Sequence, residues 1–141
     1  WEAHPNSVQY ALRRSCMKIE TKLLLQIATF DGCDTGLVHS LQSDGLLPST
    51  FDYCKCPITG DAIQYAEFAN DALHPVHGKS KFQVGHLNPL KALDLNGANG
   101  HTADNISWIS ENGNRIQGSL SLDEVDELLK RIYRNRPELH T

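Results

Sequence analysis

Residues 84–118 read VGHLNPLKALDLNGANGHTADNISWISENGNRIQG, and the order of elements in this stretch decides the fold. The segment KFQVGHL, which runs past His86, has the two-residue period of a short strand, and NISWIS, which begins at Asn105, predicts a second strand. A loop rich in glycine and asparagine separates the two. Residues 111–117 then predict a helix that neighbouring glycines keep short. The predicted order is strand, loop, strand, helix.

The start of the chain is expected to be helical. From about Asn6 to Thr29 the apolar residues recur at spacings of three and four, which describes one stripe of an amphipathic helix. Asn6 or Ser7 is expected to cap this helix. A second, brief helix is predicted from Leu37 and ends before Pro48. The stripe on the first helix consists of Leu12, Cys16, Ile19, Leu23 and Ile27.

A C-terminal helix is predicted after residue 118. Ser119 or Ser121 supplies the N-cap, and Pro137 marks the end. Acidic residues in the first turns and basic residues in the last turns suit the helix dipole. The apolar side of this helix is expected to consist of Leu122, Val125, Leu128, Leu129 and Ile132.

The composition indicates one folded domain, or one domain with a small helical extension. Of the 141 residues, 40% are hydrophobic and 21% are charged, which excludes disorder over most of the length. The longest apolar runs fall far below the ~20 residues that span a bilayer, so no membrane partner is expected. Four cysteines without a regular disulfide framework favour a reducing, cytoplasmic setting.

Three residues, His86, Asn105 and Asn114, resemble the signature of HNH endonucleases, the ββα-metal or His-Me finger group. The family pattern at the first position reads Asp-His-Ile-x-Pro-Leu, and residues 85–90 read GHLNPL. The second half of the family pattern is often Asn-Leu-x-Leu-Leu-Cys-x-x-Cys-Asn-x-x-Lys-Gly, and residues 105–118 read NISWISENGNRIQG. The spacing of the two asparagines is the same in both, so the resemblance rests on several positions in register.

The resemblance covers about residues 51–133 and implies an α+β fold. It implies a ββα-metal finger with a helical N-terminal extension and a C-terminal helix. The expected division is a helical N-terminal region at 1–50 and an HNH nuclease domain at 51–141. The role of the N-terminal region is left open between a partner interface, a DNA-contacting helix and a structural brace.

The resemblance also implies a role for each signature residue. His86 is expected to be the general base, because an imidazole with an ordinary pKa near ~6.5 accepts a proton from water at neutral pH. Asn114 is expected to bind the divalent metal, most simply Mg²⁺ and alternatively Mn²⁺, through its amide oxygen. Asn105 is expected to hold the loop that carries His86 through amide hydrogen bonds.

One residue departs from the family pattern. Many HNH enzymes have an aspartate that serves as a second metal ligand beside the histidine, and this chain has Gly85. Metal binding is therefore expected to be weaker or differently built. Three nearby side chains are candidates for the missing ligand: His101, Asp104 and Asp94.

A structural zinc site is a weaker expectation. Cys54 and Cys56 lie in YCKCPITGDAI, which predicts a turn at residues 59–61 between two short extended pieces. Many HNH domains have one cysteine pair here and another at the positions of Ser110 and Gly113, so a four-thiolate ribbon is not available. His74 and His77 are candidates to complete a Cys2His2 site. Reduced, packed cysteines are the alternative.

Taken together, these features predict a metal-dependent DNA endonuclease that hydrolyses phosphodiester bonds, of a restriction or modification-dependent type. Homing and toxin nucleases are alternatives within the family, and a nucleic-acid-binding module that has lost catalysis is the alternative outside it. The partner is DNA, and a homodimer is expected if both strands are cut. The formal charge of −4 is unusual for this partner, so clustered basic residues must make the phosphate contacts.

Overall fold

The computed structural model describes residues 10–90 and 100–140 and shows the α+β class expected from the sequence. Both predicted strands and all four predicted helices are present. The elements are α1 (Arg13–Ala28), α2 (Thr35–Ser43), α3 (Tyr65–Leu73), β1 (Phe82–His86), a 3-10 helix (Ala103–Asn105), β2 (Ile106–Ser110), α4 (Glu111–Gln117), α5 (Leu122–Asn135) and a final 3-10 turn (Pro137–Leu139).

The two strands form an antiparallel ribbon. The register pairs His86 with Ile106 and Gln83 with Ile109. One further hydrogen bond, from the Leu87 N–H to the Asn105 carbonyl at 2.8 Å, continues the pairing beyond the strand ends. The end of β1 is therefore joined to the start of β2, which brings His86 close to the segment that carries Asn105.

Helices cover the ribbon on both faces. Ile106 and Ile109 lie on opposite faces of β2, and both are 0% exposed. Ile106 packs with Ile19 and Leu23 of α1. Gly113 of α4 approaches Ile109 from the other side. Both faces of β2 are therefore covered, because two helices pack against this short ribbon.

Helix α1 begins at Arg13, with Leu12 in the N-cap position and no side-chain cap. The predicted start and its caps, Asn6 and Ser7, lie outside the described residues, and Tyr10 to Leu12 are not helical. The Lys22 ammonium donates to the Ile106 carbonyl at 2.7 Å. These contacts place α1 directly on β2, so the N-terminal helix takes part in positioning the ribbon.

Helix α3 was not predicted. The Phe68 side chain of this helix contacts three aromatic rings. The centroid of the Phe68 ring lies 5.0 Å from that of Phe30, 4.9 Å from that of Trp108 and 6.0 Å from that of Phe82. Its N-cap residue, Gln64, makes no side-chain cap hydrogen bond. The helix is therefore defined by tertiary aromatic packing and carries no strong local start signal.

Helix α5 has the predicted cap at Ser121, whose hydroxyl accepts from the Glu124 N–H while the Glu124 carboxylate accepts from the Ser121 N–H. Its apolar side differs from the prediction. Val125 is 1% exposed, whereas Leu129 and Ile132 are each 38% exposed. Within the described ranges no helix has the length and apolar character needed to cross a membrane.

Candidate active site

The three signature residues lie on different elements around the end of β1. His86 is the last residue of β1, Asn105 ends the 3-10 helix, and Asn114 lies in α4. The side chains of Asn105 and Asn114 bond the chain on either side of His86: the Asn105 amide accepts from the Asn88 N–H, and the Asn114 amide donates to Gln83 of β1. The three residues are thus connected through β1 and the segment that follows it.

His86 is half-buried at the end of β1. Burial lowers the pKa of His86 below its usual value, so the imidazole is neutral at neutral pH. Its Nε2 atom lies 3.1 Å from Nδ1 of His101. A neutral ring with one nitrogen engaged keeps its second nitrogen as the position for proton exchange with water.

Asn105 is 7% exposed and uses its whole amide group. Its Oδ1 accepts from the Asn88 N–H at 2.8 Å, and its Nδ2 donates to the carbonyls of Asn88 at 2.8 Å and Gly100 at 2.7 Å. One side chain therefore joins the segment that follows His86 to the segment that precedes His101. This geometry is what a residue that holds the loop requires.

Asn105→Ala is expected to lower the free energy of unfolding by about 2–3 kcal/mol, because it leaves the buried Gly100 carbonyl and the partly buried backbone groups of Asn88 without their amide partner. Urea denaturation measures this loss, and amide exchange at Asn88 locates it. Asn70→Ala, on the exposed side of α3, is the matched control and should change stability little. An Asn105 variant as stable as the control would contradict the role of the amide.

Helix α4 is tied to β1 at two points. Nδ2 of Asn114 donates to Oε1 of Gln83 at 2.9 Å, and Nε2 of Gln117 donates to the carbonyls of His86 at 2.9 Å and Leu87 at 3.0 Å. With its amide nitrogen bonded to Gln83, Asn114 has its amide oxygen as the atom that could bind a cation. An amide oxygen is a suitable ligand for a hard divalent cation, so Asn114 by itself is compatible with the metal that the resemblance implies.

Gly85 lies in β1, directly before His86. A Cβ atom at this position would stand 2.5 Å from Cδ1 of Ile109, which is fully buried. The space that a side chain at position 85 needs is therefore filled by Ile109. The absence of an aspartate at position 85 is therefore coupled to the large residue at position 109, because both side chains would need the same space.

Gly85→Ala is expected to destabilise the fold by about 1–3 kcal/mol, since the added methyl group overpacks a filled site. Ile109→Val removes the Cδ1 atom in question and should cost about 0.5–1.5 kcal/mol by itself. In the double variant the two losses should be less than additive, as measured by a denaturation cycle. Strict additivity would mean that Ile109 does not occupy the space beside Gly85.

The three candidates for a replacement metal ligand have different surroundings. His101 lies against His86, as described above. Asp104 is exposed on the 3-10 helix, and Asp94 lies outside the described residues. Across residues 10–90 and 100–140, no three His, Cys, Asp or Glu side chains gather closely enough to hold a metal ion.

Cys56 lies at the predicted turn, which is closed by the Lys55–Ala62 bridge. Gly60 lies in this turn with φ 75°. The Ser110 hydroxyl lies 3.3 Å from Cys56 Sγ, and a Cβ at Gly113 would lie 2.6 Å from the same atom. Although burial raises it, hydrogen bonds, chiefly from Ser110, hold the pKa of the Cys56 thiol below its usual value. Ser110 and Gly113, at the positions of the second cysteine pair of the family pattern, thus lie beside the Cys56 thiol.

Two residues of this region were not singled out by sequence. Gln117 lies at the position of the lysine in the family pattern, three residues after Asn114, so the register of the motif was a usable signal for it. Gln83 carries no such signal, because a glutamine three residues before the histidine is unremarkable in a strand. Only the contact with Asn114 reveals it.

Comparison with known proteins supports the fold. No family model matches the chain, and no curated protein matches it. Among solved structures the chain is similar to one described as a crystal structure of a type II restriction endonuclease, with a TM-score of 0.64 and 18% sequence identity. The similarity covers 91% of this chain and 57% of the other, so the chain spans little more than half the length of that endonuclease. The two share a fold.

Proposed function

We propose that the protein is a metal-dependent endonuclease of the HNH type that hydrolyses phosphodiester bonds in DNA, in a restriction or modification-dependent role. The observation that carries the proposal is the fully used amide of Asn105, which holds the segment after His86 at the end of β1. The fold shared with a type II restriction endonuclease supports it.

In this mechanism His86 accepts a proton from the attacking water. Burial favours the neutral imidazole, which is the form that can accept it. The Asn114 oxygen would hold a divalent cation, Mg²⁺ or Mn²⁺, which would stabilise charge on the phosphate and on the departing 3′ oxygen. Asn105 and Gln117 keep the end of β1 in place, and so act through His86.

The proposed substrate is DNA. Lys79 and Lys81 are exposed just before β1, and Arg115 is exposed on α4 beside its partner Glu111. Because the net charge is −4, attraction to phosphate is local and binding should weaken steeply with salt. A double-strand break needs two such sites, so the proposal includes a homodimer on DNA.

The proposal is tested by incubating the purified protein with supercoiled plasmid in Mg²⁺, in Mn²⁺ and in EDTA. Plasmid from methylating and non-methylating hosts separates the restriction role from the modification-dependent role. We expect nicked or linear product in at least one metal and none in EDTA. His39→Ala changes an exposed histidine on α2. It is the matched control for His86→Ala and should cleave normally. Retention of plasmid in a gel-shift assay without cleavage in any metal would favour the binding module instead.

A further inference from the structure

His101 is a buried neighbour of the proposed base. It is 4% exposed, and its ring lies 5.3 Å from the His86 ring between centroids. The two atoms that meet are Nδ1 of His101 and Nε2 of His86, 3.1 Å apart. Fifteen residues separate the two histidines in sequence, so the contact depends on the fold.

One side chain, that of Asn105, bonds the backbone near both histidines. The Asn105 amide bonds the main chain of Asn88, two residues after His86, and the carbonyl of Gly100, one residue before His101. A Cβ at Gly100 would stand 2.1 Å from Cδ2 of Leu90, so the two segments also pack tightly. The backbone next to each of the two histidines is therefore held in place.

A hydrogen bond between two neutral imidazoles needs one donor and one acceptor. Because Nε2 of His86 is engaged with His101, Nδ1 is the nitrogen left to meet water. Nδ1 can accept a proton only if the ring hydrogen is on Nε2. We propose that His101 is a positioning residue that accepts this hydrogen at its own Nδ1 and fixes His86 in the tautomer required of a base, an inference that rests on the proposed function.

The electrostatic surroundings agree with this arrangement. Burial lowers the pKa of both histidines, and the charge of His86 lowers the pKa of His101 further, so both rings are neutral at neutral pH. When His86 takes a proton from water on Nδ1, the hydrogen on Nε2 stays and becomes a charge-assisted donor to His101. The contact therefore strengthens as the proton is transferred.

The tautomer is measured directly by the ¹⁵N chemical shifts of the His86 ring in the metal-free protein, a readout that needs no catalysis. In the parent we expect the hydrogen on Nε2. In His101→Leu, which removes the acceptor, we expect a mixture of tautomers. In His101→Asn, whose amide oxygen can take the place of Nδ1, we expect the parent pattern again.

Cleavage kinetics supply the second readout. His101→Leu should lower kcat by about 10–100-fold with KM little changed, and His101→Asn should recover most of the loss. His39→Leu is the control for loss of an exposed histidine, and thermal melting identifies any variant that fails to fold. A parent spectrum with the hydrogen on Nδ1, or a folded His101→Leu with unchanged kcat, would overturn the inference.

These outcomes are distinct from failure of the proposed function. If His86→Ala cleaves DNA like the parent, the proposed function is wrong whatever the spectrum shows. If His86 is required while His101→Leu keeps the parent tautomer and rate, only the role of His101 is wrong.

Discussion

Replacing His86 with alanine is expected to lower the rate of DNA cleavage by about 10²–10⁴-fold, the contribution of a positioned general base. The loss should fall on kcat, because the side chain is proposed to act on the attacking water and not on DNA affinity. Single-turnover cleavage at saturating protein, with gel-shift binding measured in EDTA, separates the two effects.

Addition of free imidazole provides a chemical-rescue test of this result. Because His86→Ala leaves space at the end of β1 beside His101, a small base should restore part of the lost rate. His39→Ala, which changes an exposed histidine, should cleave like the parent both with and without imidazole. Parent-like cleavage by folded His86→Ala would remove this histidine from the mechanism.

Asn114→Ala is expected to lower cleavage by about 10²–10³-fold at fixed metal concentration, since it removes the protein oxygen proposed to bind the cation, an interaction worth several kcal/mol in the transition state. The fold should persist, because Asn114 is only partly buried and Gln117 still joins α4 to β1. Cleavage measured over a range of Mg²⁺ and Mn²⁺ concentrations, with circular dichroism and melting, tests both statements.

Two further variants sharpen the Asn114 result. Asn112→Ala changes an exposed asparagine of the same helix and should cleave normally. Asn114→Asp keeps an oxygen ligand and adds a charge, so it should retain activity and need less metal. If Asn114→Ala unfolds, or if its defect does not depend on metal concentration, the residue has a structural role.

Local sequence patterns predicted the elements that depend on near neighbours. The alternation around His86 and after Asn105 predicted β1 and β2, and the Ser121 cap predicted α5. Helix α3 was missed, because Phe68 is stabilised by rings that come from three other parts of the chain.

Burial was less predictable than secondary structure. A repeating apolar stripe states which face of an element can be buried, but not whether a partner reaches it. Along α5, Val125 is buried while Leu129 and Ile132 stay exposed. Along β2 partners arrive on both sides, and Ile106 and Ile109 are both buried.

The sequence by itself determined which residues could serve as base, loop-holding amide and metal ligand, since the spacing of His86, Asn105 and Asn114 is a property of the chain. Only the tertiary structure decided what surrounds them. The partner of His86 on Nε2, the side chain that fills the space beside Gly85 and the acceptor of the Asn114 amide all come from residues distant in sequence. Such contacts depend on how helices and strands pack, and no local pattern encodes them.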